Sequence, residues 1–235
     1  MKGLAGHVVA ALLLMGASQA ADIQGTVVVE RKLTKRNVTP TTGLYQRGAA
    51  VDLGADATKD PLDYERSHVV VYLEGSSAFE GTRKTPAIEQ RERRFSPDLV
   101  VIPAGGSITF PNFDPIFHNV FSLSKAKSFD LGNYSKGQTR TVAFPKPGVV
   151  FVYCHLHPNM SAAVVVAPNA WSTIADAAGK FTLPDVPPGN YTVAAWHKTA
   201  GTFRQKVTVG EGTNNVTFFV PLPAEPPTQV SRHHH

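Results

Sequence analysis

Short runs of Val, Phe, Tyr and Thr recur at close intervals along this chain, and Gly or Pro breaks nearly every gap between them. "GTVVVE", "HVVVYLEG", "DLVVIPAGGSITF", "RTVAF", "GVVFVYC", "SAAVVVA", "KFTLP", "NYTVAAW", "QKVTVG" and "NNVTFFV" are short and rich in residues that suit a pleated surface. Between them "PAGGS", "PKPG", "DVPPGN" and "GEGTN" carry turn chemistry, with Gly reaching positive φ and Pro fixing φ near about −65°. Strands at this density predict an all-β chain built of sandwiches. The charged segment "AIEQRERRF" is expected to form one short helix.

Strand counting divides the chain. The piece before residue 80 offers two convincing strands, and a two-stranded hairpin is marginal in water. After residue 172 come four more, "KFTLP" through "NNVTFFV", too few to close a sandwich comfortably. The economical arrangement is one discontinuous sandwich, 21–84 plus 169–222, with a second sandwich inserted over 85–168. The segment "DAAGKFTLPDVPPGNYTVAAWH" resembles the strand, Pro-Pro-Gly turn and strand of the carboxypeptidase-regulatory-like, or transthyretin-like, family. That resemblance implies a structural or adhesive module whose opening strands are "GTVVVE" and "HVVVYLEG". The polar stretch from Thr34 to Ser67 shows no clear strand and is expected to be a surface excursion. Residues 223–235 read as a Pro-rich tail, and the final histidines are not taken as a metal site.

The first twenty residues read as an export signal. Lys2 gives a positive start, "VVAALLLMGA" an apolar core, and Ser18-Gln19-Ala20 a small-x-small cleavage site. The expectation is a chain of about 215 residues delivered to a bacterial periplasm, with no transmembrane segment left in the mature part. The net charge is +5, with Arg31, Lys32, Lys35, Arg36, Arg91, Arg93 and Arg94 spread among acids. A nucleic-acid footprint needs a basic stripe with aromatic platforms, so no nucleic-acid partner is expected. One cysteine cannot form an internal disulfide, and a free thiol in an oxidising compartment is tolerable only if buried or ligated.

That cysteine, Cys154, sits in "VYCHLHPNM" with two histidines and a methionine close behind it. A catalytic thiolate wants a helix N-terminus or an adjacent imidazole base with an oxyanion hole. Cys154 instead ends a strand, and Pro158 removes an N–H where donors would help. A metal reading fits better. Cys154, His157 and Met160 can converge from a strand end and a short loop, and "DPIFHNVFS" offers His118 at the edge of another strand. Two His, one Cys and a weak axial Met form the donor set of an electron-transfer copper site.

Residues 97–168 resemble a cupredoxin, the blue-copper fold of plastocyanin and amicyanin. "PNFDPIFHNV" is similar to the region of the family's first histidine ligand, and "YCHLHPNM" to its C-x-x-H…M loop. The resemblance implies that His118, Cys154, His157 and Met160 hold one copper per chain, cycling between Cu(I) and Cu(II). It implies that Asn119 ties the two ligand loops together beside the sulfur, where Pro158 has no N–H to offer. The fold expected is therefore two Greek-key β-sandwiches, a cupredoxin inserted into a split carboxypeptidase-regulatory-like (transthyretin-like) sandwich.

The function expected is one-electron transfer in an exported type 1 (blue) copper protein, not an enzyme, with redox partner proteins. A copper carrier or storage protein in copper homeostasis is the alternative, and a structural protein with a vestigial site is the third. Pro115, Ile116, Phe117, Leu156 and Pro158 lie near the two histidines in sequence and are expected to form an apolar docking patch. His155, one residue beyond the cysteine, is expected to point away from it. No role is assigned to His68 or His197. Because "GVVFVYC" is apolar on both faces, Phe151 and Tyr153 are expected to pack against the outer sandwich.

Overall fold

The computed structural model describes residues 20–34, 60–75, 85–210 and 212–221. Nearly all of the proposed export signal, most of the stretch from 34 to 67, and the tail from 223 lie outside these residues. The chain opens with β1 (Ala21–Val28), the short helix α1 (Asp63–Arg66) and β2 (Val69–Leu73). Next come β3 (Glu89–Arg91), β4 (Arg94–Ser96), β5 (Leu99–Pro103), β6 (Gly106–Pro111) and β7 (His118–Ser124). They are followed by β8 (Lys127–Tyr134), β9 (Thr139–Phe144), β10 (Gly148–Tyr153) and β11 (Ser161–Ala167). The chain closes with β12 (Ser172–Ile174), β13 (Lys180–Val186), β14 (Gly189–His197), β15 (Gly201–Val209) and β16 (Asn214–Phe219). No helix among the described residues is long and apolar enough to cross a membrane.

The early strands find their partners late in the sequence. β1 lies between β13 and β16, antiparallel to the first and parallel to the second. β2 lies between β12 and β14, antiparallel to both, and β15 extends that sheet. These two sheets close over a core that includes Ile23, Val71, Leu73, Leu183, Val193 and Phe218. Between β2 and β12 the chain builds the second sandwich. One of its sheets runs β5-β11-β10-β7-β8, and it faces the β6–β9 pair. Ile108, Phe110, Phe144, Val150, Val152 and Val164 fill the space between them.

The two sandwiches are packed face to face. A third apolar cluster joins Val70, Tyr72, Ile174 and Trp196 of the outer sandwich to Leu99, Val101, Val149, Phe151, Ala163 and Val165 of the inserted one. The four-stranded and five-stranded sheets are thus the inner layers of a stack. Strands covered on both faces need apolar residues at every position rather than every second one. This accounts for "VVV" in β2 and "AAVVVA" in β11, whose residues are almost all buried.

Phe151 meets this interface as expected, its ring centroid 6.4 Å from that of Trp196. Tyr153 does not. It stays 39% exposed and leans on Phe121 at 5.9 Å. The cover ends before the top of β10, so Tyr153 lies beyond the rim of the outer sandwich.

The segment read as a helix is a hairpin instead. β3 and β4 pair across a turn at Glu92 and Arg93, both at φ 54. Left-handed backbone at two successive residues ends any helix there. Ile88, Gln90 and Phe95 turn inward while Arg91 and Arg94 stay exposed. The strand at residues 127–134 and the short strand at 172–174 were not anticipated.

His197, given no role from sequence, is fully buried with its Nε2 3.1 Å from Oε2 of the equally buried Glu65. Its Nδ1 accepts the N–H groups of Thr199 and Ala200. Glu65 also accepts the backbone N–H and hydroxyl of Thr34, so helix α1, the end of the first segment and β14 are pinned together. Burial holds His197 below the usual histidine range, outweighing the pull of Glu65. The unfolded chain therefore binds a proton that the folded one refuses between about pH 6.5 and the lower folded value. Stability is fully present above about pH 6.5 and falls as pH drops through that window, by at most about 1.4 kcal/mol per pH unit from this residue. Urea midpoints of the metal-free protein at pH 7 and pH 5 should show this decline, and His197→Gln should flatten it. An unchanged slope in the variant would remove His197 as its source.

Candidate metal centre

Cys154 directly follows β10, and its side chain continues the inward row of Val150 and Val152 into the core. His118 opens β7, the neighbour of β10 in the same sheet, so the two residues start from adjacent strand ends. His157 stands in the short loop from β10 to β11, which closes with the Met160 N–H donating to the His157 carbonyl at 2.9 Å. Nδ1 of His118 and Nδ1 of His157 are 3.0 Å apart, and Sγ of Cys154 is 3.7 Å from the latter. Among the described residues these three side chains form a cluster with all donor atoms within 4.8 Å of one another.

Such spacings suit one ion. Metal–nitrogen bonds of about 2.0 Å and metal–sulfur bonds of about 2.3 Å leave neighbouring donors roughly 3–4 Å apart. Met160, the fourth residue singled out in the sequence, is fully buried in the same core cluster as Cys154.

The backbone N–H of Asn119 donates to Cys154 Sγ at 3.4 Å, which stabilises negative charge on the sulfur. The Asn119 side chain does not bridge to the cysteine loop. Its amide donates to Asp130 Oδ1 on β8 at 2.7 Å, so the tie beside the sulfur is made by the main chain. Pro158 is exposed on the loop, as are Leu156 and Asn159. His155 points outward as expected. Its ring stacks on Phe121 at 3.6 Å, and its Nε2 lies 3.5 Å from Asp130 Oδ2.

One residue at the centre was not singled out in the sequence. Asp114 is buried, and its Oδ2 lies 2.8 Å from His118 Nε2, on the far side of the ring from the cluster. Its two oxygens also accept the N–H groups of Glu92 and Arg93, at 2.7 and 2.8 Å. Its own N–H donates to Asn112 Oδ1 at 2.9 Å. Burial pushes the Asp114 carboxyl up, but the Arg93 N–H, the His118 ring and the Glu92 N–H outweigh it and hold it below the usual range. Burial also pulls His157 down, helped by the nearby His118 and Arg93. The spacing Asp-x-x-x-His was the only available signal for Asp114, and it has no special meaning on a loop.

His157 is partly exposed, and Leu156 and Pro158 on either side of it are exposed; so are Phe113, Pro115, Ile116 and Phe117 in the segment that leads into His118, Phe117 by 59%. Arg91 lies over the Phe113 ring, 4.5 Å from its centroid.

Fold and side chains together define an all-β protein of two stacked sandwiches, one bearing a His-Cys-His cluster at the end of its strands. The family model for the carboxypeptidase regulatory-like domain matches residues 157–221, which run from the cluster's loop through β11 and the outer strands. No curated protein matches the chain. Among solved structures, it is similar to a variant of amicyanin in its reduced Cu(I) form, with 20% identity over 41% of this chain and 97% of that one, at a TM-score of 0.34. It is also similar to a purple cupredoxin from Nitrosopumilus maritimus, with 25% identity over 36% of this chain and 100% of that one, at a TM-score of 0.32. A Cu-containing nitrite reductase from Thermus scotoductus SA-01 shares 22% identity over 40% of this chain, at a TM-score of 0.34. The chain spans only 24% of that reductase.

Proposed function

We propose that this protein is an exported, periplasmic type 1 (blue) copper protein that passes single electrons between partner proteins. His118 and His157 would hold one copper per chain through their Nδ1 atoms and Cys154 through its thiolate, with the Met160 thioether as a further, weak donor. The observation that carries this reading is the meeting of two imidazole Nδ1 atoms and one sulfur at the ends of adjacent strands. Copper, when bound, would supply a one-electron Cu(I)/Cu(II) couple, which the mix of soft sulfur and imidazole donors suits in both states.

The protein's part is to keep the donors still and the surroundings dry. Cys154, His118 and Met160 are buried in a packed core, so they have little room to rearrange between oxidation states. The Asn119 N–H on the sulfur withdraws charge from it and so helps to set the potential. Leu156, next to His157 in the loop, and Ile116 and Phe117, which lead into His118, are exposed and offer an apolar landing surface for a redox partner.

Adding one equivalent of Cu(II) to the metal-free protein tests the proposal. An intense visible band saturating at one copper per chain is expected. Colourless uptake would replace electron transfer with a carrier or storage role, and no uptake would remove copper altogether.

A further inference from the structure

We propose that Asp114 is a positioning residue for the copper centre: its carboxylate fixes the ring of His118 and feeds negative charge through it toward the metal. The inference rests on the copper reading above and adds a determinant of the potential that lies outside the ligand set.

The ring of His118 has its two nitrogens committed in opposite directions. Nδ1 faces His157, and Nε2 faces Asp114 Oδ2 at 2.8 Å. A carboxylate can only accept, so the ring proton sits on Nε2 and the Nδ1 lone pair is left toward Cys154 and His157. His118 is fully buried, so water does not compete for that proton.

Asp114 is itself immobilised. Its oxygens take the N–H groups of Glu92 and Arg93, and its own N–H is held by Asn112, whose side-chain amide donates to the carbonyls of Ile116 and Tyr134. The turn that supplies those two amides holds both residues at positive φ. The carboxylate thus ties the β3–β4 hairpin to the first histidine of the centre.

A carboxylate on the outer nitrogen raises the donor strength of the inner one. Stronger donation favours Cu(II) over Cu(I), so Asp114 lowers the potential of the site. Asp114→Asn keeps the size of the side chain and one acceptor oxygen but removes the charge.

Two measurements decide the matter. In copper-loaded protein, Asp114→Asn should shift the ratio of Cu(I) to Cu(II) affinity toward Cu(I) by about tenfold, about 59 mV for a one-electron couple. In metal-free protein, nitrogen-15 NMR of the wild type should find His118 protonated at Nε2, with a slowly exchanging N–H, and Asp114→Asn should weaken or mix that tautomer. The wild-type spectrum needs no variant to fold. A wild-type His118 carrying its proton on Nδ1 overturns the positioning role. A coloured Asp114→Asn protein whose affinity ratio stays within twofold of the wild type overturns the charge effect while leaving the copper reading intact. If the wild type takes up no copper yet shows the Nε2–H tautomer, the copper reading falls and the positioning of His118 stands.

Discussion

Copper-loaded Cys154→Ser protein is expected to have no intense visible band. The band needs a thiolate that gives electron density to the metal, and a serine hydroxyl at neutral pH is neither ionised nor soft. The change is nearly isosteric at a buried site, and the Asn119 N–H that meets the sulfur can serve an oxygen equally well. Folding stability should therefore move by only about 1 kcal/mol, the scale of one net hydrogen bond. Affinity for Cu(I), which favours sulfur, should fall far more than affinity for Cu(II). Met160→Gln should behave differently. The thioether favours Cu(I), and replacing it with an amide oxygen should keep the colour but lower the potential. Spectra of the three proteins at equal copper loading make the comparison. An unchanged band in Cys154→Ser would disprove ligation by the thiol.

The order of Cys154 and His157 along one loop, with His118 upstream, made the His-Cys-His cluster legible because two of its three residues are close neighbours in sequence. Asp114 was not legible for the opposite reason. Its importance comes from touching His118 on one side and the Glu92 and Arg93 amides on the other, and that second contact spans more than twenty residues. The same contact explains the misread hairpin. "AIEQRERRF" is built of Glu, Gln and Arg, which have good helix propensity, and its turn has no Gly or Asn to announce positive φ. A partner far along the chain stabilises the turn, so local pattern pointed the wrong way.

Strand signals failed where burial was slight. β8 alternates Phe129 and Leu131, both only partly buried, with exposed polar residues at the edge of its sheet, so its apolar content is low. The two-sided apolar runs carried real information about the stacking of the sandwiches. Tyr153 shows its limit, because an apolar face says that cover exists but not where it stops.

Two neighbouring residues of β11 separate the layers. Val164 pairs with Val150 and points into the core that holds Cys154 and Met160, while Val165 pairs with Val149 and points into the cluster between the sandwiches. Both are buried, so aspartate at either site loses about 1.5–3 kcal/mol of apolar burial and adds a desolvation penalty of several kcal/mol for an unpaired carboxylate. A domain of ordinary stability, about 5–15 kcal/mol, barely survives that sum. The relief available differs between the two sites. Val164→Asp has no escape, because the inserted sandwich would have to open its own core, and copper binding should be lost with the fold. Val165→Asp can be wetted by parting the two sandwiches, which leaves the core around His118 and Cys154 closed. The wild type should unfold in a single transition. Val165→Asp should unfold in two, with the copper colour retained until the second. If Val165→Asp keeps one transition with an unshifted midpoint, the cluster around Phe151 and Trp196 does not couple the layers. If it loses copper as completely as Val164→Asp does, the inserted sandwich depends on the outer one for its fold as well as for its cover.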